Sequence, residues 1–299
     1  MSSQYIAVPQ AGGDALGAIT YWTLHGGQHI ERGKLIDALA AVGIEERHAP
    51  MAPSTQNLLI RACRHAGGNR YVVRSKGAMV HVIGEDADKT TEESLHLSSA
   101  AIFCLTETAD GQDAVKVLRD NINFGSRIID SFVAMRDVFT SEDVSQWLTW
   151  SAERHQAVRM RGAGGVYFVP QPKQADWNML ADALGLVSKH RVYRIPALKV
   201  TSAADAVIDA LMQECTAMMD DMVEFVQEQN TNDKPAPRAA ATRLKKLDGM
   251  KDKIALYAGA VDRNLDALQD RLKSMRATIE AQKDTVGATE VIAVFGGVA

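Results

Sequence analysis

A chain of 299 residues, 46% hydrophobic and 6% aromatic, is long enough to bury one large core or two modest ones. The low aromatic share argues for helix-rich packing over a β-sandwich, and a net charge of -4 excludes a protein that coats nucleic acid or membranes with its whole surface. That average hides segregation. Trp150 to Val200 carries eight basic against three acidic residues, Thr201 to Asn230 seven acids and no base, and Lys234 to Lys283 twelve bases against six acids. Cys63, Cys104 and Cys215 are far apart and odd in number, so buried thiols are expected, with no disulfide framework and no Cys-x-x-Cys zinc pair. Met1 to Gln10 lacks the basic and apolar regions of a signal peptide, and no run reaches the length of a membrane span. The expected location is a reducing cytoplasm.

In chain order, Ala18 to Leu24 is β-branched and aromatic and predicts a strand that Gly26-Gly27 ends. Leu35, Ile36, Leu39 and Val42 share a helical face between Glu31 and Val42. Ser54 caps a second helix with the stripe Leu58, Leu59, Ala62 and Cys63, stopped by Gly67-Gly68. Tyr71 to Ile83 reads as a hairpin turning at Ser75-Lys76-Gly77, Asp86 to Glu93 as an acidic link, and Leu95 to Thr106 as a buried strand. The spacing of Val115, Leu118, Ile122 and Ile129 predicts a helix over Gln112 to Ile129, kinked or interrupted at Phe124-Gly125.

Thr140 or Ser141 caps the next helix, with Val144, Trp147, Leu148 and Trp150, which leads into Arg159 to Pro170. This stretch is two alternating runs around the glycine turn Gly162 to Gly165, hence a β-hairpin with Val158 and Met160 on one face and Arg159 and Arg161 on the other. Residues 54–84 and 141–170 share an outline of serine cap, helix, arginine-bearing strand, glycine turn and apolar strand, as a duplicated unit would. Gln174 to Leu186 is helical, and Arg191 to Val200 a strand that Pro196 marks as an edge or an end. From Ala204 to Val226 and from Met250 to Ile279, apolar residues recur at alternating steps of four and three, with one extra four-step at Leu265. The expected fold is therefore α+β: a mixed domain of helices and β-hairpins over 1–200, divisible into two helix-plus-hairpin units (54–84 and 141–170), then an antiparallel, coiled-coil-like two-helix hairpin over 201–284 joined through Gln229 to Pro237. Residues 285–299 form an apolar tail able to add a strand to a sheet.

No catalytic or cofactor motif survives inspection. Gly26 to Leu35 resembles a phosphate loop but is one residue too long, and Leu35 stands where the hydroxyl should be. Gly162-Ala163-Gly164 lacks the third glycine of the dinucleotide fingerprint, Tyr167 occupying that place. His25 and His29 flank a glycine turn with no third ligand, so no metal is expected, and Asp220, Asp221 and Glu224 read as a solvated or lysine-paired helix face. An enzyme is the least favoured reading.

Two features point to binding. Arg70, Arg74 and Lys76 in one hairpin, and Arg159 and Arg161 with Tyr167 in the other, have the layout of a winged helix that contacts nucleic acid. Against this, such arginines also form the solvated face of half-buried hairpins or pair with Asp86, Asp88, Glu92 and Glu93. The acidic first helix and basic second helix of the C-terminal pair are complementary, while Met218, Met222, Leu265, Leu268 and Leu272 offer a surface for a partner or a second copy. The expectation is a nucleic-acid-associated or assembly protein that self-associates through its helical arm. The alternative is an adaptor for a protein machine such as an ATPase, without nucleic acid. No membrane role and no cofactor are expected.

Tyr21-Trp22-Thr23-Leu24, the helix start from Pro53-Ser54 to Ala62, and above all Gly164-Gly165-Val166-Tyr167-Phe168-Val169-Pro170 resemble the DUF6744 family of uncharacterised phage, plasmid and prokaryotic proteins. The resemblance spans most of the chain and implies a phage or mobile-element setting in a prokaryotic cell. It brings no catalytic residues with it.

Overall fold

The computed structural model describes residues 15–68, 71–87, 95–162, 164–231, 237–261 and 265–295. The elements are β1 (Ala15–Thr23), β2 (Ile30–Glu31), α1 (Arg32–Ala41), α2 (Thr55–Gly67), β3 (Tyr71–Lys76), β4 (Met79–Ala87), β5 (Leu95–Glu107), β6 (Asp113–Asp120) and α3 (Gly125–Met135). They continue with β7 (Val138–Phe139), α4 (Ser141–Arg154), β8 (Val158–Arg159), β9 (Val166–Pro170), α5 (Gln174–Val187), β10 (Arg191–Leu198), α6 (Thr201–Thr231), α7 (Pro237–Val261) and α8 (Asp266–Phe295). The chain is thus mixed α+β, with eight α-helices and antiparallel sheets among the described residues. Two compact units divide it: Met1–Thr23, Leu148–Gly185 and His190–Ala299 form one, Leu24–Trp147 and Leu186–Lys189 the other.

In the first unit β1 lies inside the sheet β10-β1-β9-β8. Thr20 pairs with Tyr167 and Ala18 with Val169, so these side chains share one face. Helix α5 covers it: Trp177 Nε1 donates to Thr20 Oγ1 (3.1 Å), whose hydroxyl donates to Tyr193 O (2.9 Å). Phe168, Val158 and Ala197 belong to the opposite face and to one apolar cluster with Leu211, Cys215 and Ile254 of the long helices. A Cβ on Gly17 would meet Val169 O at 2.3 Å and the Phe168 ring at 2.5 Å, so β1 and β9 come together only with glycine there. The end of α4 is received by α7. Gln156 takes a left-handed φ of 58°, and its carbonyl accepts from Tyr257 Oη at 2.9 Å. One turn back along α7, the buried Lys253 Nζ donates to Ala157 O (2.7 Å) and Glu214 Oε1 (2.6 Å).

The second unit contains the pair β2-β7 and the meander β3-β4-β5-β6. Helices α2 and α3 cover one face of the meander, packing Leu59, Cys63, Ile128 and Phe132 against Val73, Val80, Val82 and Phe103. Each helix starts on a side-chain cap. Ser54 Oγ accepts from Asn57 N (3.3 Å), and the Asp120 carboxylate accepts from Phe124 N (2.9 Å) and Gly125 N (2.7 Å). At the head of α4, Thr140 and Asp143 form a reciprocal box: Thr140 N donates to Asp143 Oδ2 (2.9 Å) and Asp143 N to Thr140 Oγ1 (3.3 Å). Arg61 of α2 closes on the same carboxylate through both guanidinium nitrogens, at 2.7 and 2.8 Å.

Several expectations are corrected. Residues 113–120 are strand, not the first half of a helix, because their three-residue spacing is that of a bulged edge strand; helix begins only at Gly125, where Asp120 satisfies its first amides. The last helical stripe is split into α7 and α8 on either side of 262–264, where the alternation of steps is broken by the extra four-step. The C-terminal region thus has three long helices in place of two. Residues 291–295 lie in α8 and add no strand, since extending a formed helix costs little beyond propensity. The units do not divide at residue 200, because α6, α7 and α8 share a core with β1, β8, β9 and β10. Residues 88–94 of the acidic link and 232–236 of the interhelical loop lie outside the described residues.

Burial alone raises the Asp143 carboxyl, but bonds from Arg61 and Thr140 and the charge of Arg61 outweigh it, and its pKa is lowered overall. Its contribution to stability is therefore complete above the unfolded carboxyl range near pH 4 and is lost as pH falls through the depressed folded value. Asp143→Asn should cost about 3–5 kcal/mol at neutral pH by leaving Arg61 unpaired. In urea titrations the gap between wild type and variant should close as the pH is lowered below about 4; a gap that is constant with pH would refute the role of this ion pair.

Candidate functional site

The outer face of the meander, opposite α2 and α3, collects cations from two distant segments. Cross-strand pairing aligns Arg74 with His81, Ile102 and Arg119 in one row, and Lys76 with Met79, Cys104 and Lys116 in the next. Arg74, Lys76, Lys116 and Arg119 are exposed and make no ion pair among the described residues. Lys116 and Arg119 are three residues apart, which on a regular strand would send them to opposite faces. The register shift between Ile102 and Phe103 puts an extra residue into β6 and returns both to the same side. Among the described side chains of this face there is no carboxylate and, His81 aside, no aromatic ring. Phe103 and Tyr71 belong to the helix-covered side. Arg61 is not part of the face, because it is spent on Asp143. Arg70, the remaining cation expected in this hairpin, lies outside the described residues.

The β8-β9 hairpin forms as the sequence reading expects, with Val158 opposite Phe168 and Arg159 opposite Tyr167. Its two units of outline differ, however. Helix α2 packs on its own hairpin, while β8-β9 continues through β1 into a different sheet, so the shared outline does not extend to a shared arrangement. Tyr167 is 2% exposed and is no platform for a base. Its ring stacks on Trp22 at 5.3 Å with an interplanar angle of 8°. Arg159 lies over the same ring at 5.5 Å, and its Nη2 donates to the Tyr167 hydroxyl at 3.0 Å. Gly164 has φ +90°, and a Cβ there would come within 2.6 Å of the Arg161 guanidinium; one on Gly165 would touch the Trp22 indole at 3.2 Å. The two glycines thus make room for an arginine and an indole.

The C-terminal residues expected to meet a partner are used inside the chain. Met222, Leu265, Leu268 and Leu272 are buried and Met218 is half-buried, all in the cluster of the first unit. They are core because α7 and α8 cover the apolar stripe of α6. The acidic and basic helices pair within the chain, through Glu214 with Lys253, Asp221 with Arg243 at 4.0 Å, and the Arg243 guanidinium over Phe225 at 3.9 Å. Burial pushes the Cys63 and Cys215 thiols up to about 12, far from a reactive thiolate. Among the described residues no group of three His, Cys, Asp or Glu is placed to hold a metal ion, and no helix is long and apolar enough to cross a membrane.

A model of a family of unknown function, DUF6744, matches residues 15–288. The chain belongs to the DUF6744 family. No curated protein and no solved structure matches it. Of the three stretches that carry the resemblance in this DUF6744 chain, two are neighbours: Tyr21 and Trp22 on β1 lie beside Val166 to Pro170 on β9, ring on ring. These two build the sheet of the first unit, the third opens α2 of the second, and none includes the exposed cations of the outer sheet face. A helical reading of 112–129 hides Lys116 and Arg119; the alternation of Val115 and Val117 is the signal for strand.

Gly164→Ala should lower stability by about 1–3 kcal/mol, the cost of a side chain in a left-handed conformation, and displace Arg161. Thermal unfolding measures the loss of stability; a variant with the wild-type midpoint would contradict the close packing of this turn.

Proposed function

We propose that the protein is a non-enzymatic nucleic-acid-associated or assembly factor that holds phosphates on the outer face of the β3-β4-β5-β6 sheet. The observation that carries this reading is the convergence of Arg74, Lys76, Lys116 and Arg119 on one solvent-facing surface free of described carboxylates. Four cations with no ion-pair partner among the described residues make this surface a local attractor for a polyanion in a chain of net charge -4. Arg159 and Arg161, both exposed, supply a smaller patch on the β8-β9 hairpin. The setting proposed with this reading is the cytoplasm of a phage-infected or host prokaryotic cell. Self-association through a coiled-coil-like arm has little support, since the residues assigned to it are core.

A second reading, an adaptor subunit that binds protein and no nucleic acid, is supported by the edge strand β10 and the turn after it. There Tyr193, Ile195, Leu198 and Val200 are 43–51% exposed. Pro196 lacks the N–H that backbone pairing at this edge requires, so a partner would meet side chains, not extend the sheet.

Binding of a labelled DNA duplex followed by fluorescence anisotropy separates the two. Four phosphate contacts predict a loss of affinity of about 100-fold between 50 and 200 mM salt. Replacing Arg74, Lys76, Lys116 and Arg119 together by Ala should abolish that binding and leave the thermal midpoint unchanged. Binding that is absent at low salt, or unaffected by the four substitutions, would reject the nucleic-acid reading and turn attention to β10.

A further inference from the structure

Resting on that phosphate-binding reading, we infer that the ligand of the sheet face is duplex DNA, held by its two backbones across the major groove without base stacking. The cations are not scattered over the face. They form two rails, Arg74 and Lys76 on β3 and Lys116 and Arg119 on β6, the first and last strands of the meander. Three inter-strand spacings separate the rails, about 14–15 Å at the usual strand separation. That span exceeds the minor groove of B-DNA, about 6 Å wide, and suits the phosphate lines on either side of the major groove, about 12 Å wide, once the flexible Lys and Arg stems lean inward. Along each rail the two cations sit opposite the same two rows of the sheet, so they advance about 6.8 Å, the rise of two nucleotides in a duplex.

The floor between the rails supports the same assignment. Met79, His81, Ile102 and Cys104 occupy it, and these side chains present no carboxylate that would repel the backbones and no Phe, Tyr or Trp on which unpaired bases would stack, the one ring being the half-buried imidazole of His81. Surfaces that hold single strands rely on such platforms. Here four aromatic residues of the unit, Tyr71, Phe103, Phe124 and Phe132, pack on the helix side of the sheet. The floor also lacks the Asn, Gln and Arg side chains that read base edges, so recognition is of backbone geometry and carries little sequence preference. The bulge in β6 is what completes the device, because without it one of Lys116 and Arg119 would point at α3 and the second rail would have a single cation.

The test compares a 20-base-pair DNA duplex with each of its single strands, using the full-length wild type, Arg74→Ala/Lys76→Ala, Lys116→Ala/Arg119→Ala and the fourfold variant, over a salt series. The expected result is a duplex affinity at least tenfold above that of either strand. Removal of either rail should reduce duplex affinity by a similar factor and flatten the slope of log affinity against log salt by about 1.8, with unchanged circular dichroism. Single strands that bind as tightly as the duplex, or a duplex affinity that depends on one rail only, would overturn the two-backbone inference. In either of those cases, loss of all binding in the fourfold variant keeps the phosphate-binding reading intact; no binding of any probe by the wild type overturns both.

Discussion

Phe168 occupies the centre of the first unit because position 17 carries no side chain. Any Cβ on Gly17 would collide with the ring of Phe168 and with the carbonyl of Val169, so the register of β1 against β9 and the apolar contact of the sheet with the long helices depend on one hydrogen atom. From Phe168 the dependence runs outward. Its carbonyl accepts from the Tyr257 hydroxyl at 3.3 Å, the same hydroxyl that holds Gln156 O. Lys253, one helical turn away, fixes Ala157 O and Glu214. A buried lysine is costly unless its donors are satisfied, and here a carbonyl and a carboxylate satisfy two of them. The polar atoms that end α4 are thus satisfied from α7, and the helices after residue 200 belong to this core and do not form a separate arm.

The second unit is organised by a different constraint, the need to give every cation either a partner or solvent. Arg61 illustrates the first solution. It reaches from α2 to the carboxylate that caps α4 and contributes to stability, leaving nothing for a ligand. Arg74, Lys76, Lys116 and Arg119 illustrate the second, on the sheet face that no described helix covers. Two arginines in one short stretch of sequence, Arg61 and Arg74, therefore have opposite roles, and local charge counting does not distinguish them. What separates them is whether a carboxylate from a distant segment lies within reach.

The same distinction applies to the hairpin around Gly162 to Gly165. Its shape follows from local rules: alternation puts Arg159 on one face and Val158 on the other, and positive φ at Gly164 requires glycine. Its chemistry does not. Tyr167 is expected beside the arginines as part of a nucleic-acid contact, and it is beside Arg159, but Trp22 of another strand covers its ring. A tyrosine that stacks within its own core orients an arginine; it does not offer a surface.

By itself the sequence determined most of the elements: β1, α1, α2, the two hairpins, the long β5, the short α5 and the amphipathic α6 all follow from periodicity, capping residues and turn glycines, which act over a few residues. The apolar stripe of Leu265, Leu268 and Leu272 was equally legible, but as a surface for a partner; only the fold buries it inside the chain. Only tertiary structure decided that 113–120 is a strand, since a three-residue spacing fits a helix as well as a bulged edge, and the choice lies in pairing with β5. It also decided that α7 and α8 are separate and that their helices join the sheet of the first unit. The candidate site shows the same limit. Arg74 and Lys76 were visible as a basic hairpin, but Lys116 and Arg119 join them only through the register of a four-stranded sheet, a relation between segments some forty residues apart that no local pattern encodes.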